Sequence, residues 1–469
     1  MYINRSIFFS AVETICNYAQ RNMGDMKVLK FGGTSVGSAE NIRNVSSIIQ
    51  NIEGGKLLVL SAMSGVTNLL VELASSVEQR DQVEIDEILE ALFIRHEQEI
   101  ENLFNSVDDR NEIFDILQAE LSELRHIASQ EFTVENECKI LTTGETILTK
   151  IFSFYLTKND ISNKWLNARD FMQVTNLENP DTELVGKLLQ NQLNSQAEES
   201  IYITQGFVRI NDRGEISTLN RGGSDFTATI IGAAVNASEI QIWTDINGLH
   251  NNDPRVVENT FPVAQLSFEE AAELAYFGAK ILHPQTISPV IEKNIPVYLK
   301  NTFKPTDPGT CISAISETKG LKAISAKDNI TAIKIKSNRM LMAHGFLRKI
   351  FEVFDKYETA IDMITTSEIA ISLTIDNVSN LEPILSELNA YGEISVDRDH
   401  SIICVVGEGL IDDRGTPRLF EILDDVPVRM ISYGGSNNNI SLLVDTKYKT
   451  AALQNLNKKL FRRAFEAIV

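Results

Sequence analysis

Between residues 27 and 300, short uninterrupted apolar runs alternate with stretches whose apolar positions recur every three or four residues. Val28-Leu29, Leu57-Leu58-Val59-Leu60, Ile201-Tyr202-Ile203 and Ile240-Gln241-Ile242-Trp243 read as strands covered on both faces. Residues 164–167 and 296–300 add two more, and Arg213-Gly214 marks a hairpin turn. Ile42, Val45, Ile48 and Ile49 share one helical face, with Ser38 as the predicted N-cap. A helix begins near Thr67, residues 78–135 are acidic and helical, and small residues build a helix over 228–237. Residues 267–283 read as an alanine-bearing helix, and another starts at His283-Pro284. Strands and helices in this alternation predict an α/β domain with a mainly parallel sheet flanked by helices. A Pro- and Thr-rich stretch at 302–310, with the turn Thr306-Asp307-Pro308-Gly309, marks its boundary.

Beyond residue 320 the elements become shorter. Residues 330–336 alternate as a strand, 345–357 form an amphipathic helix, 361–366 and 369–375 are strands, 381–388 a helix and 393–396 a strand. The order then restarts over 402–406, 417–423, 428–432, 440–444 and 451–461. The wording repeats as well: Ile361-Asp362-Met363-Ile364-Thr365-Thr366-Ser367 is echoed by Val428-Arg429-Met430-Ile431-Ser432-Tyr433-Gly434. Two ferredoxin-like α+β units follow, at 320–399 and 400–469, whose sheets are expected to bury against one another. Such a pair suits sensing or assembly better than a second active site.

Composition removes several function classes. The 469 residues allow two to four domains, and a formal charge of −21 argues against nucleic acid as a partner. No apolar run is long enough for a membrane span, so no membrane partner is expected. Cys16, Cys138, Cys311 and Cys404 are scattered without a CxxC spacing, which fits a reducing cytoplasm and gives no disulfide framework or zinc site. Six dispersed histidines offer no metal cluster. In residues 1–25, Glu13 interrupts the apolar Ile7-Phe8-Phe9 too early for a signal peptide. That stretch is expected to be a loosely ordered extension before Met26.

The candidate chemistry lies at strand ends. Lys30-Phe31-Gly32-Gly33-Thr34-Ser35-Val36 joins the first strand to its helix, with a cation at the strand end and amides at the helix start. Such a turn attracts phosphate. It is not a Walker A loop, since the lysine precedes the glycines, and it lacks the third glycine of a dinucleotide fingerprint. Ser61 and Thr67 stand in a second small-residue turn after a strand, where open α/β sheets place ligands. Glu145, in Thr143-Gly144-Glu145 at a helix start, is either a dipole partner or a ligand. A second Gly-Gly turn, Asn220-Arg221-Gly222-Gly223-Ser224-Asp225, carries a cation able to grip a carboxylate in a fork and an acid that is either a cap or a partner.

These motifs, with Trp243-Thr244-Asp245, Asp253-Pro254-Arg255 and Phe277-Gly278-Ala279-Lys280, closely resemble those of the aspartokinases, and the tail resembles paired ACT domains. The resemblance covers residues 26–465. It implies a catalytic domain over 26–310, ACT domains at 320–399 and 400–469, and transfer of phosphate from ATP to the β-carboxylate of L-aspartate. The products would be ADP and 4-phospho-L-aspartate, at the entry to lysine, threonine and methionine synthesis. By the same resemblance Lys30 and Asp225 are catalytic, and Ser61, Thr67, Glu145, Arg221 and Ser224 bind aspartate. Lys30, Phe31, Gly32, Gly33, Thr244, Asp245, Arg255 and Lys280 would bind ATP, with Mg²⁺ carried on the phosphates. A feedback amino acid, lysine first among the candidates, would meet Met340, Gly345, Phe346, Leu347, Ile361, Asp362, Ser367 and Glu368. The implied assembly is a homodimer or homotetramer through the ACT domains, in a cytoplasmic, monofunctional enzyme without an appended homoserine dehydrogenase. Two residues depart from the family wording: Ala343, where lysine-sensitive relatives often have serine, and His250, where an aromatic residue is usual. The rival readings are a kinase of another small acid on the same fold and a sensor that has lost catalysis.

Overall fold

A computed structural model describes residues 26–193, 201–220, 222–279, 284–316, 319–337, 344–412 and 418–461. The chain divides into two compact units, one of residues 26–248 with 284–314, the other of 249–279 with 315–461.

In the first unit the strand order is Lys164–Trp165, Ile201–Gln205, Lys56–Leu60, Lys27–Phe31, Glu239–Thr244, Val297–Asn301 and Thr310–Ser313. Neighbours run parallel as far as Val297–Asn301, and Thr310–Ser313 returns antiparallel. The expected parallel sheet is therefore present, and its reason is visible in burial. All five residues of Lys56–Leu60 and of Ile201–Gln205 are buried, as strands covered on both faces require. Lys27–Phe31 lies at the centre, with Lys30 in register with Val59 on one side and Ile242 on the other. The Phe31 ring stacks on Trp243 at 5.7 Å.

The acidic stretch forms helices Gln82–Leu103 and Val107–Ala128, between Val66–Gln79 and Val134–Leu141. Its apolar positions Ile85, Leu92, Ile113, Leu117 and Leu124 share one buried cluster with Leu29, Phe31 and Ile42. The insertion is thus part of the domain core, most of its acidic residues exposed but Glu99 and Glu120 partly buried.

Two sequence expectations change in the second unit. Residues 249–279, read as part of the N-terminal domain, pack with the C-terminal portion. Val257 joins a core with Ile324, Ile403 and Leu442. Lys322 reaches Glu270 in a buried ion pair at 2.7 Å, and Glu270 also closes the capping box of helix Phe268–Tyr276 with Ser267. The single boundary near 310 is therefore replaced by a chain that crosses into the second unit, returns and crosses again.

The two ACT-like units do not bury separate sheets face to face. They share one antiparallel sheet in the order Ile364–Thr366, Ala370–Ile375, Gly320–Lys336, Glu393–Glu408, Asn439–Asp445 and Val428–Ser432. Residues 393–396 and 402–406, read as two strands, belong to the single strand Glu393–Glu408, which pairs with Gly320–Lys336 along its length. Register shifts between Lys327 and Ala332 interrupt the ladder where one repeat gives way to the next.

Candidate functional site

The first strand delivers Lys30 to the rim of the sheet, and the glycine turn after it is tied down residue by residue. Gly32 N donates to the Trp243 carbonyl (3.2 Å), and the buried hydroxyls of Ser35 and Thr302 meet at 2.6 Å. A Cβ on Gly33 would stand 2.8 Å from the Ala62 carbonyl oxygen, so only glycine fits there. A Cβ on Gly32 would lie 3.4 Å from Lys30 Nζ, which places the ammonium over the turn.

The helix start, read from the sequence as amides at a phosphate-attracting turn, is already engaged by the protein itself. Asn41 N donates to its cap Ser38 (3.2 Å), and Ala39 N donates to Glu99 (2.8 Å). Protein oxygens therefore already hold these amides. Phe31 also changes its role: its ring is fully buried in the core, so any contact with a nucleotide would pass through its backbone.

The second glycine turn meets the first. Gly222, in the left-handed conformation at φ 76°, opens helix Gly223–Val235. That opening puts Asp225 in the first turn, with Oδ1 2.7 Å from Lys30 Nζ. The two side chains are 14% and 12% exposed, dry enough for the pair to be strongly felt and open enough for a ligand to reach the lysine. One residue earlier, Ser61 Oγ donates to Ser224 Oγ at 3.0 Å. Arg221 lies outside the described residues, as do Lys280 and Met340.

Glu145 enters from a third element. It is buried in the first turn of helix Thr143–Lys158, whose start presses onto the turn after Leu60. A Cβ on Gly144 would be 2.8 Å from Ala62 Cβ and 2.9 Å from Val66 Cγ1. Gly144→Ala is accordingly expected to overpack this junction and lower stability by about 1–3 kcal/mol, read by denaturant unfolding; an unchanged midpoint would show that the junction yields. Burial pushes the Glu145 carboxyl up to about 7, against the pull of the Glu145 and Ala62 amides. Its Oε2 is buried with no hydrogen-bond partner among the described residues. A buried acceptor left in this state is a group awaiting a donor. Thr67, by contrast, is exposed in the first turn of Val66–Gln79.

On the other side of the central strand, Thr244 Oγ1 donates to Asp245 Oδ1 at 3.1 Å, and Asp245 is exposed. Arg255 belongs to the second unit, where it forks onto Asp253 at 2.9 and 2.7 Å. Nearby in that unit His250, half-buried, pairs with Thr260 at 2.9 Å. Thr302 was missed by the sequence reading: it lies in the stretch read only as a boundary, and no local pattern marks its partnership with Ser35.

In the second unit Gly345, at φ 78°, opens helix Phe346–Lys356. Phe346 and Ile361 line the cluster around Ile350 and Leu373, while Leu347, Ser367 and Glu368 are exposed. Asp362 is engaged on one side only: its Oδ1 takes Lys327 Nζ at 2.7 Å and accepts from the Tyr276 hydroxyl at 2.9 Å, its buried Oδ2 has no hydrogen-bond partner among the described residues, and burial keeps its pKa above the usual range.

Comparison with known proteins bears on the fold and the family. The amino acid kinase family model matches residues 25–301, and an ACT domain model matches 403–460. The chain is 32% identical over 455 residues to lysine-sensitive aspartokinase 3 of Escherichia coli (strain K12), covering 94% of this chain and 100% of that protein. It is 35% identical over 463 residues to chloroplastic aspartokinase 1 of Arabidopsis thaliana, covering 92% and 80%. Among solved structures, E. coli aspartokinase III in complex with aspartate and ADP (R-state) superposes with a TM-score of 0.81 at 31% identity, over 93% of this chain and 100% of that one. The same enzyme with lysine and aspartate (T-state) gives 0.76 at 31% identity, over 93% and 99%.

Proposed function

The chain belongs to the amino acid kinase family and within it to the aspartokinases, and from that premise we propose how its own residues move a phosphoryl group from ATP to the β-carboxylate of L-aspartate. The acceptor carboxylate is already ionised at neutral pH, with an ordinary pKa of about 4, so no general base is needed. The protein has to align two anions and neutralise the charge between them.

Lys30 supplies that charge. Asp225 holds its ammonium aimed over the glycine turn, and this 2.7 Å pair between two distant turns is the observation that carries the reading. Because the Gly32 amide is engaged by Trp243, the Gly33 amide is the loop donor assigned to the transferring phosphoryl oxygens. Ser61 and Ser224 hold the substrate side, Arg221 grips the aspartate α-carboxylate, and Glu145 receives its ammonium. Thr244, Asp245, Arg255 and Lys280 are assigned to the nucleotide.

Among the described residues no three His, Cys, Asp or Glu side chains form a metal cage. The donors present fit a Mg²⁺ carried on ATP and water, where it would neutralise phosphate charge. The deciding assay traps the acyl phosphate with hydroxylamine. Aspartyl hydroxamate should form only with ATP, Mg²⁺ and aspartate together, and its absence would leave a sensor in place of an enzyme.

Regulation is assigned to the first ACT unit. The effector would be an amino acid, lysine before threonine, held near Gly345, Phe346, Leu347, Ile361, Ser367 and Glu368, in a homodimer or homotetramer joined through the ACT domains. Glu368→Ala, at an exposed position, is expected to raise the half-inhibiting lysine concentration about tenfold, as loss of a charged contact does, with uninhibited kcat unchanged. Titrating lysine, threonine and methionine against parent and variant checks this; equal inhibition curves would remove Glu368 from the effector site.

A further inference from the structure

The helical insertion has a part in the kinase centre that its acidic composition hides. Helix Gln82–Leu103 presents two side chains, one turn apart, to the segment leaving the first glycine turn. Arg95 donates from Nη2 to the Gly37 carbonyl (2.5 Å) and from Nη1 to Glu99 Oε1 (2.6 Å). Glu99 Oε2 accepts from the Ala39 amide (2.8 Å). A cation and an anion from one helix thus hold a carbonyl and an amide two residues apart. Arg43, on the helix after the turn, returns the contact by donating to the Asn102 carbonyl.

The bracing reaches the glycines. Gly37 sits so close to Gly33 that a Cβ on it would stand 2.9 Å from the Gly33 carbonyl oxygen, and Gly33 is itself wedged against Ala62. Displacing Gly37 therefore displaces Gly33. The same carboxylate occupies the first amide of helix Ala39–Gln50, where its charge suits the helix dipole. An incoming phosphate is thereby kept from the helix start and left to the turn itself. An ion pair at this helical spacing adds little to the stability of an isolated helix; its two ends falling on the loop exit is what points to a role in the reaction.

We propose that Arg95 and Glu99 are positioning residues for phosphoryl transfer, fixing residues 37–39 and through them the Gly33 amide. The proposal rests on the reading of this turn as the phosphoryl-binding element. Its test combines turnover with amide hydrogen exchange, which reads the turn whether or not the reaction has been assigned correctly. In the full chain, Arg95→Met and Glu99→Leu are expected to lower kcat about tenfold to a hundredfold, as small misplacements of reacting groups do. The KM for aspartate should stay within about twofold, because the aspartate contacts are untouched. Amides of residues 33–39 should exchange faster in both variants. Glu99→Gln, whose amide oxygen can still accept from Ala39, should recover most of the lost kcat. It also supplies the folded comparison should Glu99→Leu fail to fold. Lys158→Met removes ion pairs to Asp109 and Glu112 elsewhere in the same insertion and should leave kcat at the parent value.

Two results would overturn the proposal: parent-like kcat in Arg95→Met, or unchanged exchange across residues 33–39 in a folded variant. Were the parent to make no aspartyl hydroxamate, the reaction assignment would fall, and the exchange measurement would decide the positioning claim alone.

Discussion

Lys30→Ala is expected to lower kcat by about a thousandfold, the upper end of the loss seen when a preorganised charge stabiliser is deleted. The ammonium sits over the glycine turn, held at 2.7 Å by Asp225, so no solvent cation can take its place in the same geometry. Substrate binding should suffer less than turnover, because the charge is needed most when the phosphoryl group is between donor and acceptor. The variant also strands the Asp225 carboxylate, which is only 14% exposed, and a lone charge there destabilises the fold. Hydroxamate formation is therefore to be compared below the unfolding midpoint of each protein. Asp225→Asn separates the two effects: it leaves the lysine but loosens its aim, and should cost less than Lys30→Ala. An alanine variant turning over as fast as its parent would remove Lys30 from the mechanism.

Glu145→Gln should raise the KM for aspartate about a hundredfold, the worth of a buried charged hydrogen bond, and should change the pH profile in a particular direction. Burial raises this carboxyl from 4.5 to about 7. A group whose folded pKa lies above its unfolded one contributes stability fully below the unfolded value and loses it as pH rises through the folded value. The free parent is accordingly expected to lose stability between about pH 4.5 and pH 7, on the order of 3 kcal/mol in all. Glutamine does not titrate, so the variant should be the more stable protein at pH 8 while binding aspartate poorly. Aspartate, through its ammonium, favours the ionised carboxylate. In the parent its KM should therefore rise as pH falls below about 7, and in the variant that limb should be absent. Unfolding curves at pH 5 and pH 8, with KM measured across the same range, test both halves. A variant whose KM retains the parent's pH dependence would show that Glu145 does not meet the substrate.

Much of the site was legible because it is built from local wording. Lysine, glycines and a capping serine in the order Lys30, Gly32, Gly33, Ser38 describe a strand–turn–helix, and Asp225 beside Gly222 and Gly223 describes another. That these turns share a site was implied by the family resemblance, and the Lys30–Asp225 distance supplies the geometry. The occupants of the helix start were not legible. Nothing near Glu99 in the sequence shows that it reaches the Ala39 amide sixty positions away, and the excess of acids in 78–135 reads as solvated surface. The environment of Glu145 was equally silent: a glutamate at a helix start looks the same exposed or buried, and only burial by other elements moves its pKa.

By itself, the sequence determined the alternation of elements, the parallel character of the first sheet and the places where phosphate chemistry can occur. Each of those follows from periodicity or from the backbone freedom of a few residues close together in the chain. Tertiary structure alone decided that residues 249–279 pack with the second unit, that the two C-terminal repeats share one sheet rather than stacking two, and that Glu99 stands where a phosphate was expected. Those outcomes depend on which distant surfaces exclude water from one another and which buried polar atoms find partners, and neither is written in the spacing of neighbouring residues.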